Sequence, residues 1–169
     1  EMPAEKKKAT TLALLKKTFV WVREIGPSQP LTVGVWGNPT WIKAPDAIET
    51  LSLENSDVIS FHSYSNPEAT IEMVEGLKKY NRPMICTEYM ARGNNSTFEG
   101  ILPIFHQNKV AAYNWGLFNG KSQTIYPWHS WKQKFTAEPE LWHHDIFRQD
   151  GTPFDSKEVE LIKKLAASN

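Results

Sequence analysis

The sequence has little of several features that mark specialised protein classes. It contains one cysteine among 169 residues, so no disulfide can form within the chain. No apolar run reaches about 18 residues, which argues against a membrane-spanning helix. Lysine and arginine together number 19, as do aspartate and glutamate, and this balance gives no electrostatic reason to expect nucleic acid or an anionic membrane as a partner. No signal peptide is recognisable.

What is present indicates a globular protein. The chain is 40% hydrophobic, which suits one domain over residues 1–169 with a sizeable core. It contains seven tryptophans. These predict either a large aromatic core or a platform for flat ligands such as sugars. Cys86 lies inside an apolar segment, so we expect an inert core residue.

Helical and extended apolar segments alternate along the chain. Apolar residues at helical spacing and end signals predict helices at Leu12–Val22, Pro45–Leu53, Asn66–Tyr80, Phe98–Gln107 and from Ser156 through Leu165. Short, continuous apolar runs predict strands at Leu31–Trp36, Asp57–Phe61, Met84–Thr87 and Val110–Trp115. This alternation predicts an α/β fold with about four parallel β/α units. Four units are about half of a (β/α)8 barrel, which typically takes about 250 residues; an open four-stranded parallel sheet is the alternative from the pattern alone.

Chemically active residue types cluster where the predicted strands end. The second strand runs into His62 and Tyr64, the third into Glu88 and the fourth into Trp115. Residues two apart on a strand point to the same side, so His62 and Tyr64 can face one site. The carboxyl ends of parallel strands are where α/β proteins bind ligands. A carboxylate beside a phenol, an imidazole and an indole therefore predicts a sugar-processing centre.

These segments resemble a known group of enzymes. Ile85-Cys86-Thr87-Glu88-Tyr89 is similar to the nucleophile segment on the seventh strand of retaining TIM-barrel glycoside hydrolases, in the large clan that contains the cellulase-like family 5 and family 2. His62-Ser63-Tyr64 resembles the sixth strand, and Tyr113-Asn114-Trp115-Gly116-Leu117 resembles the eighth. Segments 119–124, 142–146 and 150–154 resemble the closing part of bacterial members. The resemblance covers essentially the whole chain and implies a half barrel that comprises strands 5–8.

The resemblance implies roles for individual residues. Glu88 would be the nucleophile that forms a covalent glycosyl-enzyme, Tyr64 would hydrogen-bond it, and Trp115 would stack on the sugar. The remaining candidates for substrate binding are His62, Trp36, Asn119, Lys121 and Trp128. Trp128 either lines the cleft or packs the last loop. The implied substrate is a β-linked oligo- or polysaccharide, and the polymeric substrate class suggests an extracellular or periplasmic location.

One expected element is missing from the sequence. The acid/base of these enzymes lies in an Asn-Glu-Pro segment that ends the fourth strand, and this chain instead begins Glu1-Met2-Pro3. We therefore expect a fragment in which Glu1 is the candidate acid/base. Its missing N-terminal half would be supplied by another chain or by a second copy, and the chain alone would have little or no activity.

Two rival interpretations remain. One is a non-catalytic carbohydrate-binding protein that keeps the aromatic cleft, and the other is an open α/β interaction module. No cofactor is expected. His143-His144-Asp145 does not favour a metal site, because neighbouring residues of an extended segment point to opposite sides.

Overall fold

The computed structural model describes residues 2–36 and 39–168. Five α-helices and three strands occur in these ranges. The helices are α1 (Ala4–Ile25), α2 (Ala47–Asn55), α3 (Pro67–Leu77), α4 (Phe98–Gln107) and α5 (Ser156–Ala166). The strands are β1 (Ile59–Ser63), β2 (Met84–Tyr89) and β3 (Val110–Asn114). None of the helices in the described ranges has the length and apolar character that crossing a bilayer requires.

The three strands form one parallel sheet in the order β1-β2-β3. The α/β class is therefore confirmed, but the first predicted strand, Leu31–Trp36, is wrong. Within this segment only Val35 forms a bridge, to Phe61 of β1. The Leu31 amide instead donates to the Asp57 carboxylate at 2.8 Å, and the Val33 amide to the Ser56 hydroxyl at 3.0 Å. Because side chains accept these amides in place of the β1 backbone, no regular ladder forms.

Helix boundaries follow the end signals in the sequence. Asn66 caps α3 by accepting from the Ala69 amide, and Pro67 occupies the first helical position. Thr97 caps α4 by accepting from the Gly100 amide. Gly26 ends α1 in the left-handed conformation, at φ 66°, where glycine carries no steric penalty.

The hydrophobic core lies on one face of the sheet. Phe61 of β1 contacts Phe105 of α4, and Tyr89 of β2 contacts both Phe98 and Phe105. Buried residues of α2 and α3 complete this core, and α5 packs against it with partly buried side chains.

The opposite face of the sheet is open. Along β3, burial alternates between buried or half-buried Val110, Ala112 and Asn114 and exposed Ala111 and Tyr113, which is the pattern of a sheet with one covered face.

Candidate active site

Glu88 lies near the carboxyl end of the central strand, β2, and both of its close partners approach the same oxygen. The Tyr64 hydroxyl donates to Glu88 Oε2 at 2.9 Å. His62 Nδ1 lies 3.3 Å from the same Oε2. Within the described part of the chain, Oε1 makes no hydrogen bond. One oxygen of this partly exposed carboxylate is thus oriented by two partners, and none of the described residues hydrogen-bonds the other.

A register shift in β2 determines which way Glu88 points. Phe61 pairs with Cys86, but His62 pairs with Glu88, so β2 contains one extra residue, Thr87. The Thr87 hydroxyl donates to the Phe61 carbonyl at 3.3 Å. Without the bulge, Glu88 would follow Cys86 onto the covered face, since side chains alternate along a strand. The bulge instead places Glu88 on the open face beside His62.

Both partners of Glu88 are themselves packed by aromatic rings. The Trp36 ring lies 6.3 Å from the His62 ring. The Tyr64 ring meets the edge of Trp128 at 5.1 Å and His144 at 5.5 Å. Burial raises the pKa of the Tyr64 phenol, and its hydrogen bond to Glu88 raises it further. Tyr64 therefore remains a protonated donor to the carboxylate throughout the physiological pH range.

Trp128, His143 and His144 form what we call the aromatic wall, which stands beside Tyr64. The Trp128 ring lies 4.9 Å from His143 and 6.0 Å from His144, and the two imidazoles are 4.4 Å apart. Both histidines are buried. Burial is the main factor that lowers the pKa of each imidazole, so both are neutral at neutral pH.

The loop after β3 fixes the backbone of the wall. The His144 amide donates to the Thr124 carbonyl at 3.1 Å, and the Thr124 hydroxyl donates to both oxygens of Asp145 at 2.8 and 2.9 Å. Gly116, at φ 96°, approaches so closely that an added Cβ would lie 2.6 Å from Asp145 Oδ1. Burial raises the pKa of Asp145, and the Thr124 bonds oppose this shift.

Arg92, in the turn after β2, binds the segment that carries His143 and His144. This buried guanidinium donates to the carbonyls of Trp142 and Asp145 at 3.0 and 3.1 Å. It also pairs with the Glu158 carboxylate of α5 through two contacts, of 2.8 and 2.6 Å. The wall, α5 and the turn after β2 therefore form one connected unit.

Three other sequence candidates, Trp115, Asn119 and Lys121, lie in the segment that follows β3. Trp115 follows β3 and continues its pairing by donating its amide to the Tyr89 carbonyl at 3.1 Å, and its side chain is about half exposed. The Asn119 amide bonds the Phe147 carbonyl, and Lys121 is exposed. No hydrogen bond in the described ranges joins Asn119 or Lys121 to Glu88. Glu1, the candidate acid/base, lies outside the described residues.

The sequence did not identify the histidines of the wall as part of this site. The sequence offers His143 and His144 only as weak candidates for metal ligands, because neighbouring residues of an extended segment point to opposite sides. In the portion of the chain that the structure describes, no group of three histidine, cysteine or acidic side chains is arranged to hold a metal ion. The only signal available was their position within a segment that resembles the closing part of the barrel enzymes.

Cys86 is a core residue next to the site. Burial raises the pKa of its thiol to about 12, and the thiol donates to the Glu88 carbonyl at 3.2 Å. This thiol is therefore inert as a nucleophile near neutral pH.

Compared with known proteins, the sequence matches no family model and no curated protein.

Proposed function

We propose that this chain is the catalytic C-terminal half of a retaining glycoside hydrolase that cleaves β-linked sugars. One observation carries the proposal: a bulge turns Glu88 to the open face of a parallel sheet, where Tyr64 and His62 hold Oε2 and leave Oε1 free. A carboxylate with one oriented and one free oxygen suits nucleophilic attack at an anomeric carbon.

In the proposed reaction, Glu88 Oε1 forms a bond to the anomeric carbon as the glycosidic carbon–oxygen bond breaks. A second carboxyl group protonates the leaving oxygen. That group then deprotonates the water that releases the sugar and regenerates Glu88. In retaining enzymes the two carboxyl groups lie about 5–5.5 Å apart. Glu1 is our candidate for the second group.

The hydrogen bond from Tyr64 supports the nucleophilic role. A phenol O–H that donates to a carboxylate fixes the position of the oxygen that accepts the bond. Tyr64 is itself fixed by packing against Trp128 and His144, so the donor is already oriented before substrate binds.

The exposed surface supports the need for a complementary half. The chain exposes 10857 Å², whereas a compact monomer of 19.3 kDa exposes about 8,500 Å². The excess of roughly 2,400 Å² is well above the ~800 Å² that each partner buries in a standard interface. We propose that strands equivalent to the first half of a (β/α)8 barrel, or a second copy, cover the open face.

The experiment compares the wild-type chain with Glu88→Gln and with Glu160→Gln, a matched control on the exposed side of α5. Turnover of chromogenic β-glycosides is measured in the presence and absence of a complementary half-barrel. We expect Glu88→Gln to lower turnover by at least about a thousandfold. Binding of β-linked oligosaccharides, followed by tryptophan fluorescence, should be largely unchanged. Retention of more than a few per cent of turnover would exclude Glu88 as the nucleophile.

Exposed aromatic side chains favour a second candidate function, non-catalytic carbohydrate binding. Trp36, Tyr113 and Trp115 are 71%, 64% and 47% exposed, and flat exposed rings suit stacking on pyranose faces. Binding of β-linked oligosaccharides without turnover, even after the missing half has been supplied, would support this candidate. Either function on polymeric glycans fits an extracellular or periplasmic location.

A further inference from the structure

His144 contacts two different elements of the site. It lies in the segment before α5, far along the chain from β2, yet its ring is buried between the turn after β2 and the Tyr64 phenol. Neither contact was expected from the sequence.

The first contact is a hydrogen bond to the turn after β2. His144 Nδ1 lies 2.6 Å from the Met90 carbonyl oxygen. A carbonyl oxygen only accepts, so Nδ1 carries the proton and the neutral ring is the Nδ1–H tautomer. Met90 has φ 73°, in the left-handed region that residues with a side chain rarely adopt. The bond from His144 therefore stabilises an unfavourable backbone conformation two residues after Glu88.

The second contact is ring packing against Tyr64. The centroids of the His144 and Tyr64 rings lie 5.5 Å apart at an interplanar angle of 57°. The Trp128 and Tyr64 rings are nearly perpendicular, with their centroids 5.1 Å apart. Together, the two rings restrict where the phenol hydroxyl can lie, and that hydroxyl is the donor to Glu88 Oε2.

His144 is fixed firmly enough to transmit this restraint. Its amide donates to the Thr124 carbonyl, and Gly116 packs so closely against it that an added Cβ would lie 3.0 Å from the Cβ of His144. The neighbouring Arg92 amide donates to the His143 carbonyl at 3.0 Å, which pairs the two segments a second time.

We propose that His144 is a positioning residue that holds Tyr64 and the turn after β2 in one fixed geometry around Glu88. Its catalytic importance rests on the proposed function. The structural coupling itself is independent of that function and is measurable without turnover.

The test uses two complementary variants of the full chain, studied by NMR spectroscopy. His144→Phe keeps a ring against Tyr64 but removes the Nδ1–H donor. His144→Asn keeps a short donor for the Met90 carbonyl but removes the ring. His143→Phe is the matched control, since His143 belongs to the same wall but makes neither the bond to Met90 nor the ring contact with Tyr64. Circular dichroism establishes that each variant is folded.

Each variant should affect a different reporter. In His144→Phe, amide exchange at Ala91 and Arg92 should rise about tenfold, while the Tyr64 ring resonances stay close to those of the wild type. In His144→Asn, the Tyr64 resonances should shift and exchange at Ala91 should stay within about twofold. If either variant leaves its reporter unchanged, the proposal is overturned. If a variant does not fold, the ¹⁵N shifts of the wild-type ring decide: the Nδ1–H tautomer supports the proposal and the Nε2–H tautomer refutes it.

Kinetics then separate positioning from simple support of the fold. In an active preparation, His144→Phe and His144→Asn should each lower kcat about tenfold with little change in KM. His144→Asn should not lower kcat further in a Tyr64→Phe background, because the ring that it removes acts on Glu88 through Tyr64. His144→Phe should still lower kcat in that background, because it acts through the turn after β2. An undiminished effect of His144→Asn in the Tyr64→Phe background would contradict the proposal. A failure of Glu88→Gln to reduce turnover would instead refute the proposed function and leave the NMR result standing.

Discussion

We expect acid to destabilise the aromatic wall through His143. Its side chain is 3% exposed, and its Nε2 makes no hydrogen bond in the described part of the chain. Burial, followed by electrostatic repulsion from His144, His129 and Arg92, lowers the pKa of His143 to about 4. In the unfolded chain, a histidine titrates near pH 6.5.

The difference between these two values sets the size of the effect. Between pH 6.5 and about 4 the unfolded chain binds a proton at His143 that the folded chain does not, so stability falls as the pH falls. Each pKa unit corresponds to about 1.4 kcal/mol, which gives a loss of about 3 kcal/mol over this range. This loss is absent above pH 6.5 and complete below about pH 4. It is a large share of the ~5–15 kcal/mol that stabilises a typical domain.

The assay is urea unfolding of wild-type protein and His143→Phe at half-unit steps from pH 7 to pH 4, followed by circular dichroism. Phenylalanine keeps a ring in the wall but cannot take up a proton. The stability of the variant should fall about 3 kcal/mol less than that of the wild type over this range. His106→Gln, at a partly exposed position of α4, is the control and should follow the wild type. Parallel curves for wild type and His143→Phe, within about 0.5 kcal/mol, would refute the reasoning.

Two further substitutions test the packing that supports the site. Arg92→Met leaves Glu158, whose side chain is 13% exposed, without its partner, so we expect the free energy of unfolding in urea to fall by about 3–5 kcal/mol. Lys43→Met, in an exposed ion pair, is the control and should lower it by less than about 1 kcal/mol. Equal losses in the two variants would contradict this reasoning. Gly76→Ala places a Cβ 2.3 Å from Ile42 Cγ2, so an overpacking cost of about 1–3 kcal/mol should outweigh the gain of about 1 kcal/mol in helix propensity. Adding Ile42→Ala to Gly76→Ala should relieve the overpacking. If Gly76→Ala alone were more stable than the wild type, Ile42 would have moved aside freely and the reasoning would be wrong.

The fold could be predicted from the sequence where local signals decide the structure. The boundaries of α4 match the prediction because Thr97 supplies a cap and apolar residues repeat at helical spacing. The same local reasoning failed at Leu31–Trp36, which has the composition of a strand. There, the Ser56 and Asp57 side chains accept backbone amides that a ladder would have used. Competition of this kind depends on residues that are over 20 positions away in the chain.

For the site, too, part of the geometry could be predicted from the sequence and part could not. Tyr64 and His62 lie beside Glu88, in keeping with the alternation along β1 and the parallel alignment of β1 and β2. Alternation along β2, by contrast, would have turned Glu88 to the covered face together with Cys86. Nothing local to the sequence marks Thr87 as an inserted residue, because a bulge is a property of the pairing between strands. His144 reaches the site only through the packing of the last loop.

Three unfavourable features of the described structure lie at the carboxyl end of the sheet. A bulge interrupts β2, Met90 adopts a left-handed conformation, and His143 buries a nitrogen without a partner. Each costs stability, of order 1–3 kcal/mol, and a regular strand with an apolar wall would avoid all three. Left-handed residues and buried atoms without a partner also occur away from the site, for example at Asn81, Lys109 and Trp41, so no one of these features marks a functional site by itself. What distinguishes this end of the sheet is that all three lie around one partly exposed carboxylate, and the function that we propose for Glu88 would explain why a sequence keeps them together there.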